Sequence, residues 1–155
     1  MKRSVWSAIA VAVATAGLAG CGSAPEQAEA ATTAPEGISI TNARLMLPAV
    51  KGNPGAVYFD VANAGSANRV IRAASVAGAG SSMLHTMAGD AMQEATQVVV
   101  PAGGNVKLEP GGTHVMAMNL ADTVVAGGKA DVTVTFVGGA KTTFPADVRA
   151  AGDER

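Results

Sequence analysis

The sequence predicts an all-β domain of the sandwich or barrel class, and three observations support this prediction. Hydrophobic residues make up 48% of the 155 residues, while aromatic residues account for only 3%, so the apolar surplus is mostly Ala, Val and Gly. Short runs alternate apolar and polar residues at period two, which is the pattern of a half-buried strand. Turn signals rich in Gly, Asn and Pro recur about every eight to twelve residues, as in sandwiches and barrels.

Each predicted strand lies between two such turn signals. Residues 57–62 read VYFDVA, a β-branched and aromatic run that follows Asn-Pro-Gly and precedes Asn-Ala-Gly. The final two runs flank Gly138-Gly139 and therefore predict a β-hairpin. No helix of ordinary length is predicted after the first twenty residues. The predicted strands outside the methionine-rich stretch described below are 38–43, 57–62, 70–76, 97–100, 106–108, 132–137 and 141–148.

The N-terminal twenty residues have the pattern of an export signal. Lys2 and Arg3 supply a positive region, and residues 5–18 supply an apolar segment that is too short for a confident membrane span. The following Leu18-Ala19-Gly20-Cys21 looks like a bacterial lipobox. Cys21 would then be the lipid-bearing N-terminus of an exported, membrane-anchored lipoprotein, which also accounts for the single cysteine in the chain.

Four segments follow from this pattern. Residues 1–20 are the predicted lipoprotein signal peptide, 21–37 a flexible tether after the lipidated cysteine, 38–149 the folded domain and 150–155 a C-terminal tail. Removal of the signal leaves nine basic and twelve acidic residues, a net charge of −3. Without a basic stripe, nucleic-acid partners are disfavoured, and membrane attachment depends on lipid alone.

Residues 83–118 hold nearly all the soft metal donors of the chain. Both histidines, His85 and His114, lie there with five of the seven methionines. In an extended segment, His114 and Met116 share a face with their Cα atoms about 6.6 Å apart, which two side chains can close onto one ion. The five methionines are Met83, Met87, Met92, Met116 and Met118.

The mixture of donors favours copper in its reduced state. Thioether sulfur is a soft neutral ligand that suits Cu(I), and imidazole binds copper as well. Calcium and magnesium require hard oxygen ligands, and structural zinc sites use thiolates or more histidines. Single methionines are most often core filler, so Met46, Met83 and Met118 are expected in the core rather than at a metal.

The same residues resemble a known family, the periplasmic copper chaperones for the copper A centre of cytochrome c oxidase (PCuAC). Met92, twenty-one further residues and then His114-Val115-Met116 match the second half of its motif. Residues 101–104, 108–112 and 114–120 are similar to its connecting phrases, and residues 56–59 and 63–65 to its early strand and turn. The first interval departs from the family pattern, because six residues separate His85 from Met92 where ten are usual.

The resemblance implies a cupredoxin-like or immunoglobulin-like Greek-key β-sandwich. It implies a non-enzymatic Cu(I) carrier that delivers copper to an oxidase subunit or to a Sco-type assembly protein, on the outer face of the cytoplasmic membrane or in the periplasm. The implied metal ligands are His85, Met92, His114 and Met116, with Met87 as an additional or substitute donor.

Two other functions are consistent with parts of the sequence. A surface adhesion or scaffold sandwich would use its methionines in the core, and Met→Leu changes would then alter no metal property. A hydrolase would use Ser81 or Ser82 with a histidine, but the sequence has no nucleophile elbow and no acid placed by a motif.

Overall fold

The computed structural model describes residues 34–153, which belong to one compact unit, Ala31–Arg155. The predicted signal peptide, Cys21 and most of the tether lie outside the described residues, as do residues 154–155. Within 34–153 there are ten strands and no helix, and hence no helix that could cross a membrane. The strands are β1 (Ile38–Met46), β2 (Gly55–Asn63), β3 (Arg69–Val76), β4 (Ala79–Ala88), β5 (Ala91–Glu94), β6 (Val98–Val100), β7 (Asn105–Leu108), β8 (His114–Leu120), β9 (Lys129–Phe136) and β10 (Lys141–Arg149).

The predicted strands are confirmed, with shifted ends, and one strand was missed. The four residues of β5 are all exposed, so they carry no alternation by which a sequence pattern could find them. Strand β4 begins at Ala79, directly after a turn at Ala77 and Gly78 in which Gly78 adopts a left-handed φ of 81°.

The strands form a mixed sheet that closes over one core as a cupredoxin-like or immunoglobulin-like sandwich, as the resemblance implied. The order is β5-β4-β8-β2-β1-β10-β9-β3-β6, and β7 pairs with the second half of β2. The pairing of β1 with β10 is parallel, whereas the other neighbours are antiparallel. The rings of Phe59 on β2 and Phe144 on β10 lie 5.1 Å apart in the core, although β1 separates their strands in the sheet.

Strict alternation assigns one face of each strand to the core. On β2, Val57, Phe59 and Val61 are fully buried while the residues between them are not. Asn63 ends this strand inside the core, where its side-chain nitrogen donates to the carbonyl oxygens of Ala67, Val100 and Pro101. These bonds satisfy a buried amide that would otherwise be costly, and they connect β2 to the loop after β6.

Candidate metal site

The two histidines face each other across neighbouring antiparallel strands. In the register of β4 with β8, His85 lies directly opposite His114. Their ring centroids are 6.1 Å apart and their planes are inclined by 43°. An ion about 2.0 Å from one nitrogen of each ring would place the centroids about 5–6 Å apart, so this separation accommodates a shared ion. In the neighbouring rows of cross-strand pairs on this face, two residues away along β4, Met83 lies opposite Met116 on β8 and Met87 lies opposite Met92 on β5.

The donor side chains lie on the outward face of these strands. Leu84 on β4 and Val115 and Ala117 on β8 are buried in the core. Since successive side chains of a strand point to opposite faces, the residues between them point away from that core. His85, His114 and Met116 therefore share one face, as the sequence predicted for an extended segment.

His114 is held in a single orientation by its surroundings. Only 6% of its surface is exposed, and its Nδ1 lies 3.0 Å from the carbonyl oxygen of Gly112. A carbonyl oxygen can only accept, so Nδ1 donates in this contact, and in the neutral ring Nε2 is the nitrogen left to bind a metal. A backbone carbonyl that orients a metal-binding imidazole in this way is a common arrangement.

The ring of His85 contains a buried nitrogen without a partner. Its Nδ1 is one of the buried side-chain nitrogen and oxygen atoms in residues 34–153 that form no hydrogen bond. Burial of such a group without a partner costs free energy, and functional sites are a usual reason for it. An ion bound between the two imidazoles would compensate for part of this loss of solvation.

The hairpin between β4 and β5 explains the shortened interval between His85 and Met92. Gly89 and Asp90 form a two-residue turn, and Gly89 has a left-handed φ of 64°. The turn brings Met92 directly opposite Met87, one row from His85 on the same face. Met92 lies on the outermost strand with 51% of its surface exposed. The structure thus places Met87 and Met92 side by side, and which of them is the third donor stays a prediction.

Two residues next to the site were missed by the sequence interpretation. The ring of Tyr58 on β2 lies 6.1 Å from that of His114, on the side away from His85. The guanidinium carbon of Arg44 lies 5.0 Å from the centroid of the Tyr58 ring, within range of a cation–π interaction. No motif marks either residue, and only knowledge of the neighbouring strands reveals them.

A β-bulge in β1 orients the side chain of Arg44 towards Tyr58. Thr41 pairs with Asp60 and Arg44 with Tyr58, so β1 carries one extra residue between these pairs. Asn42 has a φ of 56° and donates from its side-chain nitrogen to Asp60 at 2.7 Å. The extra residue reverses the alternation of β1, which puts Leu45 in the core and Arg44 on the outward face.

The expectation that some methionines fill the core was wrong. No methionine belongs to the core cluster of the described residues or to the partly buried side chains packed against it. Met83 is 39% exposed, and Met46 and Met118 are half-buried. The core is filled by valine, alanine, leucine, one isoleucine and three phenylalanines, and the thioethers lie on the outward face.

In the described range, oxygen and thiolate donors do not form a metal site of their own. Within residues 34–153, no three His, Cys, Asp or Glu side chains are grouped so as to hold a metal ion. Glu94 lies opposite His85, and the further donors in the neighbouring rows are the thioethers of Met83, Met87, Met92 and Met116. This donor set fits a soft monovalent ion such as Cu(I).

Comparison with known proteins places this fold in a family. Residues 38–148 match the model of a family described as "Putative lipoprotein LpqE-like". The chain belongs to the LpqE-like family. A relative from Leifsonia xyli subsp. xyli (strain CTCB07), named "Putative lipoprotein Lxx21020", is 31% identical over 148 residues, which cover 92% of this chain and 88% of that protein. Both descriptions are of lipoproteins.

Solved structures similar to this LpqE-like protein share its fold. The copper-bound PCuAC domain from PmoF2 is 23% identical, with a TM-score of 0.64 over 74% of this chain and 93% of that one. The apo PCuAC domain from PmoF1 is also 23% identical, with a TM-score of 0.65 over 74% and 94%. The solution structure of CuI-DR1885 from Deinococcus radiodurans is 24% identical, with a TM-score of 0.57 over 83% and 85%. The predicted resemblance to PCuAC domains is therefore confirmed in the fold of this LpqE-like protein.

Proposed function

We propose that this LpqE-like protein is an exported, lipid-anchored carrier of Cu(I). The observation that supports it most is the direct opposition of His85 and His114 on an outward face rich in thioethers. His114 presents Nε2, and Met116 and Met92 extend from the neighbouring rows of the same face. Two of the similar folds are copper-bound, as their names state, which agrees with this donor set.

The exposure of the site suits delivery rather than storage or catalysis. Met92 and the strand that carries it are open to solvent, so a recipient could approach the ion and replace its ligands one at a time. Neutral thioether and imidazole ligands hold Cu(I) less tightly than thiolates do, and they do not form disulfides outside the cytosol. The proposed recipient is a copper-accepting protein, such as an oxidase subunit or a Sco-type assembly factor.

The proposed membrane attachment is through lipid on Cys21, on the outer face of the cytoplasmic membrane. The family description and the lipobox support it. Changing Cys21→Ser should release the protein from the membrane fraction, and a variant that stays membrane-bound would contradict this anchor.

Copper binding is tested by titrating the full-length protein with Cu(I) without oxygen, against a chromophoric Cu(I) chelator. We expect His114→Ala and Met116→Ala to weaken the tightest site at least tenfold, since each removes one donor. Met46→Leu is the matched control, because it removes a half-buried outward methionine three strands from β4 and should leave the affinity unchanged. Unchanged binding in His114→Ala would overturn the proposal.

A further inference from the structure

Three methionines form a second group of soft donors beyond the histidine pair. Met83 on β4 lies directly opposite Met116 on β8, and Met118 follows two residues after Met116 on the same face. Across from Met118 is Ser81, a small exposed residue that leaves space above its row. We call Met83, Met116 and Met118 the thioether triad.

The thioether triad contributes little to the packing of the domain. None of its members belongs to the core cluster or packs against it, whereas the alternate residues Val115 and Ala117 are fully buried. Met83 exposes 39% of its surface, although apolar side chains gain free energy by leaving water. Met116 and Met118 are half-buried, so the fold covers the face that carries the triad only in part.

Strand geometry lets the three sulfurs meet at one point. Directly opposed residues have Cβ atoms about 4.5–5.5 Å apart, and the diagonal pair of Met83 and Met118 about 7–8 Å apart. Methionine has three rotatable side-chain bonds, which allow its sulfur to reach across such gaps. Met118, in contrast, is four residues from His114, a distance of about 13 Å along the strand, so it cannot reach an ion held between the imidazoles.

We propose that the thioether triad is a second Cu(I) site, distinct from the histidine site and joined to it by Met116. Three neutral thioethers select Cu(I) over zinc, calcium and magnesium, which prefer nitrogen, thiolate or oxygen ligands. Transfer between the sites is a ligand exchange. When an ion moves into the empty triad, copper loses the nitrogens of His85 and His114 and the sulfur of the third donor, Met92 or Met87. It gains the sulfurs of Met83 and Met118 and stays Cu(I), with Met116 bound throughout.

This site lies on the side of the histidines opposite to Met92. The histidine site would therefore have thioether neighbours on both sides, with Met87 and Met92 next to the β4–β5 turn and the triad further along β8. Only the transfer step rests on the proposed carrier function, because the triad could bind Cu(I) without it.

The test is an anaerobic titration of the full-length protein with Cu(I) alone. We expect two bound equivalents, of which Met118→Leu removes the weaker and keeps the tighter. His85→Ala combined with His114→Ala should remove the tighter and keep the weaker. Met46→Leu should keep both, because Met46 is separated from Met116 by Ala56 on β2. A single bound equivalent of Cu(I) in the unchanged protein, or two bound equivalents in Met118→Leu, would overturn the proposal of a second site at the thioether triad.

A measurement on the unchanged protein avoids dependence on how the variants fold. With methyl-labelled methionine, the second equivalent of Cu(I) should shift the NMR signals of the Met83 and Met118 methyl groups, while Met46 stays in place. Shifts confined to Met92 and Met116 would contradict the triad. Absence of the histidine-dependent equivalent would instead contradict the carrier function, so the two failures are distinguishable.

Discussion

His114 is the most constrained of the candidate ligands. The Gly112 carbonyl holds its Nδ1, and Tyr58 and His85 flank its ring at 6.1 Å on either side. Arg44 in turn lies over Tyr58. A ligand that is already oriented loses less conformational entropy on binding, so these contacts should increase the affinity of the site for Cu(I).

The contribution of Tyr58 can be measured with two substitutions. Tyr58→Leu should weaken Cu(I) binding about two- to tenfold, because tilted aromatic pairs are worth about 0.5–1.5 kcal/mol beyond their buried area. Tyr58→Phe keeps the ring and should bind Cu(I) more tightly than Tyr58→Leu. The affinities come from chelator competition, with thermal unfolding of the metal-free variants as the control for folding. Equal affinities of the Leu and Phe variants would show that the ring contact has no role.

At the level of the strands, one strand pair holds the candidate metal site and another, β9 with β10, holds a pH-dependent contact. On β9 and β10, Lys129 lies opposite Asp147, and its Nζ donates to the carboxylate at 2.6 Å. The hydrogen bond and charge of Lys129 lower the pKa of Asp147 below its usual 3.8. Because the folded-state pKa is depressed, the contact stabilises the fold above the unfolded-state pKa and is lost as the pH falls through the folded-state value.

Asp147→Asn should therefore lower the thermal midpoint slightly at pH 7, by an amount that salt reduces because the pair is exposed. The difference from the unchanged protein should shrink as the pH falls below about 4. Asp122→Asn is the matched control, since it removes an exposed carboxylate whose partner Lys51 is also exposed, in an ion pair that joins two turns rather than two strands. A difference that persists at pH 2 would show that the contact is not electrostatic.

Across the whole described domain, the core and the candidate site use different residues. The fully buried side chains are valines, alanines and a few larger residues such as Phe59, Leu45 and Phe136. The soft donors lie on the opposite face of the same strands. Stability and copper binding should accordingly be separable by substitution.

Phe59→Ala should reduce the free energy of unfolding by about 3–5 kcal/mol, because it leaves a cavity among packed rings. Met92→Leu should change it by less than about 1 kcal/mol, since Met92 is half exposed, yet weaken Cu(I) binding if Met92 is the third donor. Urea unfolding of the metal-free proteins measures the first effect and chelator competition the second. A large loss of stability in Met92→Leu would contradict this separation.

The sequence predicted most strands because period-two alternation involves only residues that are adjacent in the chain. It missed β5, whose four residues are uniformly exposed, and it misassigned methionines such as Met83 and Met118 to the core. Methionine type alone does not reveal which face of a strand is covered, since that depends on which other strands pack there.

By itself, the sequence determined the kinds of donor and the local faces they share: His114, Met116 and Met118 on one side of a strand, and His85 with Met83 and Met87 on one side of another. The tertiary structure decided that β4 neighbours β8 in the register that sets His85 against His114, and that the bulge in β1 brings Arg44 over Tyr58. Pairing between strands depends on contacts between residues distant in the chain, whereas alternation depends only on neighbouring residues. The sequence could therefore predict the donor residues of the site, but only the fold shows which of them lie together.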